Sequence, residues 1–139
     1  VAVSHGGWRG TAGNIAAETL RRMGEAYGTE PDDVLAAIGP AIGPCCFEVG
    51  QEVVDAFAKL FSPLEMKELT RPAGNKYYFD LPKANRLLLL RAGIRAEHLE
   101  DAGLCTYCRD DLFFSYRKAS KAGEQTGRHM AVIMWNEGD

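Results

Sequence analysis

No apolar stretch in this sequence approaches the roughly 18 to 20 residues that cross a bilayer. The longest run, LLLLRAGI from Leu87, is broken by Arg91 and Gly93, so no membrane partner is expected. An excess of positive charge is also missing. With 16 Lys and Arg against 19 Asp and Glu, the formal net charge is -3. No basic field is available to wrap a nucleic-acid backbone, and any anion site must be a local cluster. Cysteine is sparse: 4 residues in 139 are too few for a disulfide-stapled secreted domain, and the adjacent Cys45 and Cys46 make poor disulfide geometry. A reducing cytoplasm is the expected setting. Histidine is scarcer still, with 3 scattered residues and no H-x-H. Repeats, low-complexity tracts and linkers are absent, and no signal-peptide pattern stands at the first residues.

What is present is a composition, 46% hydrophobic and 25% charged, that can bury one core, so residues 1–139 read as one domain. Val1-Ala2-Val3-Ser4-His5 is short, rich in β-branched residues and followed by glycines, which suits a buried strand ending at His5. Ala12, Ala16, Leu20, Met23 and Tyr27 then recur at helical spacing, and Gly28 can terminate that helix. Val34 to Ile38 reads as a second strand, running into the irregular loop GPAIGPCC. A helix from about Gln51 to Phe61 is predicted to end at Ser62-Pro63. Arg71 to Asn75 is turn chemistry and Tyr77-Tyr78-Phe79 a short strand. Asp80 can cap a helix that has Pro82 in its first turn and Gly93 at its end. Gly103 to Thr106 and Phe113 to Tyr116 are extended candidates, Lys118 to Gly127 a polar excursion, and Met130 to Trp135 a last apolar strand. Strands alternating with helices predict an α/β fold in which helices cover mixed sheets.

Three stretches can carry chemistry. His5, Gly6, Gly7, Arg9 and Gly10 gather backbone N–H groups and a guanidinium at one turn, which fits an anion site and equally fits a tight β-α turn with a satisfied histidine. Cys105-Thr106-Tyr107-Cys108 is a C-x-x-C, able to form half a zinc site or a redox pair. Cys45 and Cys46 are the remaining thiols. Neighbours on an extended segment point to opposite sides, so the expectation is buried apolar thiols and no four-thiolate site. Phe113 to Arg117, with Arg128, mixes rings and guanidinium groups that suit a purine and a phosphate, but taken alone the stretch reads better as a plain strand pair with solvated arginines. His98 and His129 read as surface residues.

Taken together, HGGWRGTAGNI from His5, AAIGPAIGPCCFEVGQEV from Ala36, YYFDLPKANRLLL from Tyr77, and LCTYC, FFSYR and TGRHMAVIMW in the last third resemble one family. It is the laccase-domain or multicopper polyphenol oxidase-like family, also called purine nucleoside phosphorylase-like or peptidoglycan editing factor proteins. The resemblance spans essentially the whole chain. It implies a layered α/β/β/α sandwich with mixed sheets, of which these residues are the C-terminal portion, Val1 being a truncation point. It further implies a mononuclear zinc held by His5 together with a His and a Cys upstream of Val1. The activity implied is zinc-dependent phosphorolysis of adenosine, inosine and methylthioadenosine, with adenosine deamination alongside. The partners are then a purine nucleoside and phosphate. His5 and Arg9 carry over as catalytic residues, and Arg9, Phe47 and Arg117 as substrate-binding ones. Gly6 departs from the usual Ala, and the spacing before Arg128 is longer than usual. Copper-dependent phenol oxidation, editing of a cell-wall precursor, and an inactive half-domain are the alternative readings.

Overall fold

The computed structural model describes residues 1–135. Helix α1 (Trp8–Ala12) and helix α2 (Ile15–Tyr27) follow an irregular entry segment. Strand β1 (Ala36–Ile38) leads into a loop, then β2 (Glu48–Val49), α3 (Gln51–Phe57) and α4 (Pro63–Leu69). A hairpin of β3 (Thr70–Ala73) and β4 (Lys76–Phe79) precedes α5 (Leu81–Arg91), β5 (Leu99–Asp101) and α6 (Tyr116–Ala122). The fold is α/β with mixed sheets, as expected. β1 and β5 pair in parallel, Ala36 opposite Leu99, while β2, β4 and β3 form an antiparallel sheet in that order. None of the described helices is long and apolar enough to cross a membrane.

Local chemistry explains the helix boundaries. Gly28 ends α2 in the left-handed conformation, φ 66°, which a residue without a Cβ adopts at no steric cost. Ser62 caps α4 in a reciprocal box: its hydroxyl accepts from the Glu65 N–H, and the Glu65 carboxylate accepts from the Ser62 N–H at 2.8 Å. Those contacts, first the Ser62 hydroxyl and then its amide and Arg91, hold the Glu65 carboxyl down at about 2. The Asp80 carboxylate accepts from the Lys83 N–H at 2.9 Å and caps α5.

The main core forms where α3, α4 and α5 close over the antiparallel sheet. Phe57 and Phe79 are fully buried with ring centroids 4.4 Å apart, and Leu69, Leu81, Ala84, Leu88 and Phe47 surround them. A smaller cluster of Leu20, Ile94 and Leu99 seats α2 and α5 against the parallel pair. Helix α5 touches α1, α2, α4 and β1, so it ties the two sheets together.

Several sequence expectations are corrected. Val1 to His5 is no strand, with Val1 50% and Val3 61% exposed, and Met130 to Trp135 likewise forms no strand and is exposed. A strand needs a neighbouring backbone to take its N–H and C=O groups, and among the described residues none runs beside either segment. Tyr27, at the last position of α2, is 78% exposed and does not join the buried face. The helix expected to reach Phe61 stops at Phe57, and α4 begins at Pro63, where the sequence reading had only a stop. Arg71 to Ala73 is strand, the turn being confined to Gly74 and Asn75. The polar excursion from Lys118 contains α6, capped by the Ser115 hydroxyl and closed by Gly123 at φ 70°.

Candidate functional site

The opening turn is held by a buried and a half-buried polar side chain from two helices. Thr11 of α1 is fully buried, and its hydroxyl lies 3.0 Å from the Gly6 carbonyl, 3.1 Å from the Gly7 carbonyl and 3.1 Å from Asn85 Oδ1. Asn85 reaches over from α5; its amide donates to the Leu81 carbonyl at 3.0 Å and approaches the Gly6 carbonyl at 3.5 Å. The two side chains pin the Gly6-Gly7 backbone, and hence the direction in which His5 leaves it.

Close packing explains two of the glycines. A Cβ on Gly10 would stand 3.0 Å from the His5 carbonyl oxygen, and one on Gly7 would stand 2.7 Å from His5 Nε2. The imidazole therefore lies over bare backbone, which only glycine allows. His5 and Arg9 are both exposed, four residues apart on the same turn, and the Arg9 guanidinium sits over the Trp8 ring at 4.3 Å. Helix α1 has only 5 residues, so the expected contribution of a helix N-terminus to anion binding is small, and the guanidinium is the main positive group.

Phe47 and Arg117 come together elsewhere. Phe47 is 6% exposed and packs in the main core, so its ring is a floor and not a free stacking face. The Arg117 guanidinium lies 5.4 Å from that ring and donates to the Glu48 carbonyl at 2.6 Å. In the segment after α6, Arg128 lies 5.9 Å from the Tyr116 ring, and His129 Nε2 is 2.8 Å from the Phe114 carbonyl. Two surface hollows flank α2, one lined by Leu20, Arg21 and Pro31, the other by Val1, Ile15 and Met23; neither is lined by His5, Arg9, Phe47 or Arg117.

The cysteines overturn their expectation. Cys108 Sγ lies 3.6 Å from Cys45 Sγ and 3.4 Å from Cys46 Sγ, and all four Sγ atoms fall within 4.8 Å of one another. The argument from alternation failed because Cys45 and Cys46 do not lie on extended backbone. They sit in a tight turn in which the Cys46 and Phe47 N–H groups both donate to the Gly43 carbonyl at 3.0 Å, so neighbouring side chains converge. Burial raises the Cys45 and Cys46 thiols. At Cys105 burial also opposes ionisation, but backbone N–H groups of Gly43, Cys108 and Tyr107 outweigh it and hold the thiol at about 7. This group could hold a metal ion.

Sequence reasoning missed Thr11 and Asn85, which lie inside the quoted HGGWRGTAGNI and YYFDLPKANRLLL segments without any residue type that advertises chemistry. The signal was faint: a Thr inside the first helix and an Asn on an otherwise apolar helix are polar residues at core-facing positions, which demand partners.

An α/β chain bearing this pinned His-Gly-Gly turn is comparable with known proteins. Residues 1–136 match the family model described as multi-copper polyphenol oxidoreductase laccase, and the chain belongs to that family. Similar proteins include a purine nucleoside phosphorylase of Bacteroides thetaiotaomicron, 40% identical over 96% of this chain and 48% of its own length. Another is adenosine deaminase RL5 from an unknown prokaryotic organism, 43% identical over 96% of this chain and 49% of its own. The crystal structure of YlmD from Geobacillus stearothermophilus superposes with a TM-score of 0.72 at 41% identity, covering 81% of this chain and 42% of that one. The chain thus spans about half the length of the relatives it matches.

Proposed function

We propose that the protein containing this chain is a zinc-dependent purine nucleoside phosphorylase acting on adenosine, inosine and methylthioadenosine, with adenosine deamination as a second activity. The observation that carries the reading is the exposed His5, held over bare glycine backbone by the Thr11 and Asn85 contacts and four residues from the exposed Arg9. Relatives named as purine nucleoside phosphorylases and as an adenosine deaminase support it.

The fit of zinc to this turn rests on its donor chemistry. The His5 imidazole, lying against Gly7 where a Cβ would stand 2.7 Å from Nε2, is a donor type that suits one position of a zinc site. When bound, zinc supplies Lewis-acid polarisation and lowers the pKa of water. The Thr11 and Asn85 contacts fix the Gly6-Gly7 backbone from which His5 projects. Arg9 binds the phosphate dianion and orients one oxygen toward the sugar C1′. In phosphorolysis that C–O bond forms as the C1′–N9 bond breaks; the electron pair leaves with the purine, which takes up a proton. In deamination water adds at the carbon bearing the exocyclic amine and ammonia departs. Arg117, seated on Phe47, is a second cation for substrate. Free thiols throughout suit a reducing cytoplasm.

Phenol oxidation by copper stands behind this reading. His5, His98 and His129 are spread over three parts of the fold, and among the described residues the one cluster of three or more metal donors is the four cysteines. The test is to incubate the complete natural chain with adenosine, inosine or methylthioadenosine, with and without phosphate. The reading expects free base and a sugar 1-phosphate only when phosphate is present. Phosphate-independent base release, or oxidation of a phenol with no action on nucleosides, overturns it.

A further inference from the structure

We propose that Cys45, Cys46, Cys105 and Cys108 form a tetrathiolate site for a single structural zinc ion, which fastens the loop after β1 to the turn after β5. The proposal is independent of the purine nucleoside reading. It concerns different residues and needs no substrate.

Distance is the first argument. Zinc binds thiolate sulfur at about 2.3 Å in a tetrahedron, which places ligand sulfurs about 3.8 Å apart. The four Sγ atoms already lie within 4.8 Å of one another, with the Cys108 contacts at 3.4 and 3.6 Å, so small rotations bring all four onto one centre. The chain brings them there by backbone pairing. Ala41 forms a parallel bridge to Cys105; its N–H donates to the Leu104 carbonyl at 3.2 Å, and its carbonyl accepts from the Thr106 N–H at 3.0 Å. The two cysteine-bearing segments are therefore in register before any ion is present.

The Gly43 N–H donates to Cys105 Sγ at 3.2 Å, and the Tyr107 and Cys108 amides turn toward the same sulfur, so the C-x-x-C turn wraps its first cysteine in backbone donors. Lys118 and Lys121 project from α6 to 5.8 and 6.0 Å from the Tyr107 ring, bringing positive charge to the turn. On binding, four thiol protons pass to solvent and the centre carries two net negative charges, which Lys121 and the amides partly offset, Lys118 being paired with Asp110.

The ligand count sets the role. Four thiolates fill a tetrahedral ion and leave no position for water or substrate, the arrangement of structural and not catalytic zinc. Tetrahedral sulfur ligation also suits an iron-sulfur centre, so metal identity is part of the test. The loop fastened by the ion leads directly into Phe47 and Glu48, the two residues that seat Arg117, so the clamp also fixes that cation.

The experiment uses the complete natural chain carrying His5→Ala, expressed with zinc and purified under reducing conditions. Metal content is measured alongside zinc K-edge absorption. The proposal expects one zinc per chain with four sulfur neighbours at about 2.3 Å. It also expects four thiols that resist an aromatic disulfide reagent until a chelator is added. Cys108→Ser in the same background should lower zinc affinity about tenfold or more, by analogy with losses on disturbing a metal site. If that variant does not fold, the absorption spectrum and thiol protection of the parent decide the matter. Zinc well below one equivalent, iron in place of zinc, a shell dominated by nitrogen or oxygen, or a disulfide joining Cys108 to Cys45 or Cys46 in freshly isolated protein overturns the proposal. Nucleoside turnover is scored separately, so loss of one reading leaves the other standing.

Discussion

Replacing Thr11 by Val isolates the hydroxyl that holds the turn proposed as the site, because the two side chains are nearly the same shape. In the folded protein the Gly7 carbonyl keeps its bond from the Thr11 N–H at 2.9 Å, so it survives the change. The Gly6 carbonyl does not fare as well: its 3.0 Å contact disappears and only the Asn85 amide at 3.5 Å remains, at the long limit of a hydrogen bond. Leaving one interior acceptor poorly satisfied costs about 1–2 kcal/mol. In urea, where small domains lose about 1–3 kcal/mol per molar denaturant, that is a midpoint shift of about 1 M. Thr11→Ser keeps the hydroxyl and loses one methyl group, costing about 1 kcal/mol through packing alone. Stability and turnover should therefore separate: Ser loses stability but keeps the turn and its activity, while Val loses both. Urea melts and nucleoside kcat/KM on the three proteins check this. If Val matches wild type in both, or Ser falls as far in activity as Val, the hydroxyl does not position the turn.

Phe79→Ala should cost about 3–5 kcal/mol, since the ring is fully buried against Phe57 and the cavity has no route to collapse; chemical denaturation measures it, and a loss under about 1 kcal/mol contradicts the packing account. Gly7→Ala should lower zinc retention and turnover with little change in melting temperature, because the new methyl displaces only the His5 ring, 2.7 Å from its Cβ; unchanged zinc retention would show that the ring position is unimportant. Glu65, held down at about 2 against an ordinary 4.5, contributes stability that is complete above pH 4.5 and is lost as pH falls toward 2. The stability gap between wild type and Glu65→Gln should therefore narrow over that window, and a gap independent of pH would remove the capping carboxylate as its source.

Much of the fold was legible because its signals are local. The Asp80 cap with Pro82, the Gly28 stop and the helical spacing of Ala16 and Leu20 each act within a few residues, and each element stands close to where they place it. Strand formation is not local. Val1 to His5 and Met130 to Trp135 have β-branched and apolar character, yet pairing depends on a neighbouring backbone that no spacing rule supplies. Residues Pro63 to Leu69 looked like a terminus because Ser-Pro both ends one helix and opens the next; the Glu65 three residues after Ser62 was the overlooked capping-box sign. At the proposed site, His5 and Arg9 stood out in the sequence as residue types beside glycines. Thr11 and Asn85 did not, because their role is a contact between residues 74 positions apart. The cysteine cluster was misread for a related reason, since its convergence is set by a turn at Cys45 and by the Ala41 to Cys105 bridge, both of them products of the folded chain.

The central claim is that His5 holds the metal on which nucleoside turnover depends. The most direct measurement is bound zinc and adenosine turnover on wild type and His5→Ala, both as complete natural chains under the same conditions. Loss of one protein ligand should remove the nucleoside-site zinc and reduce turnover by about 100-fold or more, while zinc bound by the four cysteines persists. Zinc content equal to wild type together with normal turnover would make His5 a structural histidine and contradict the account.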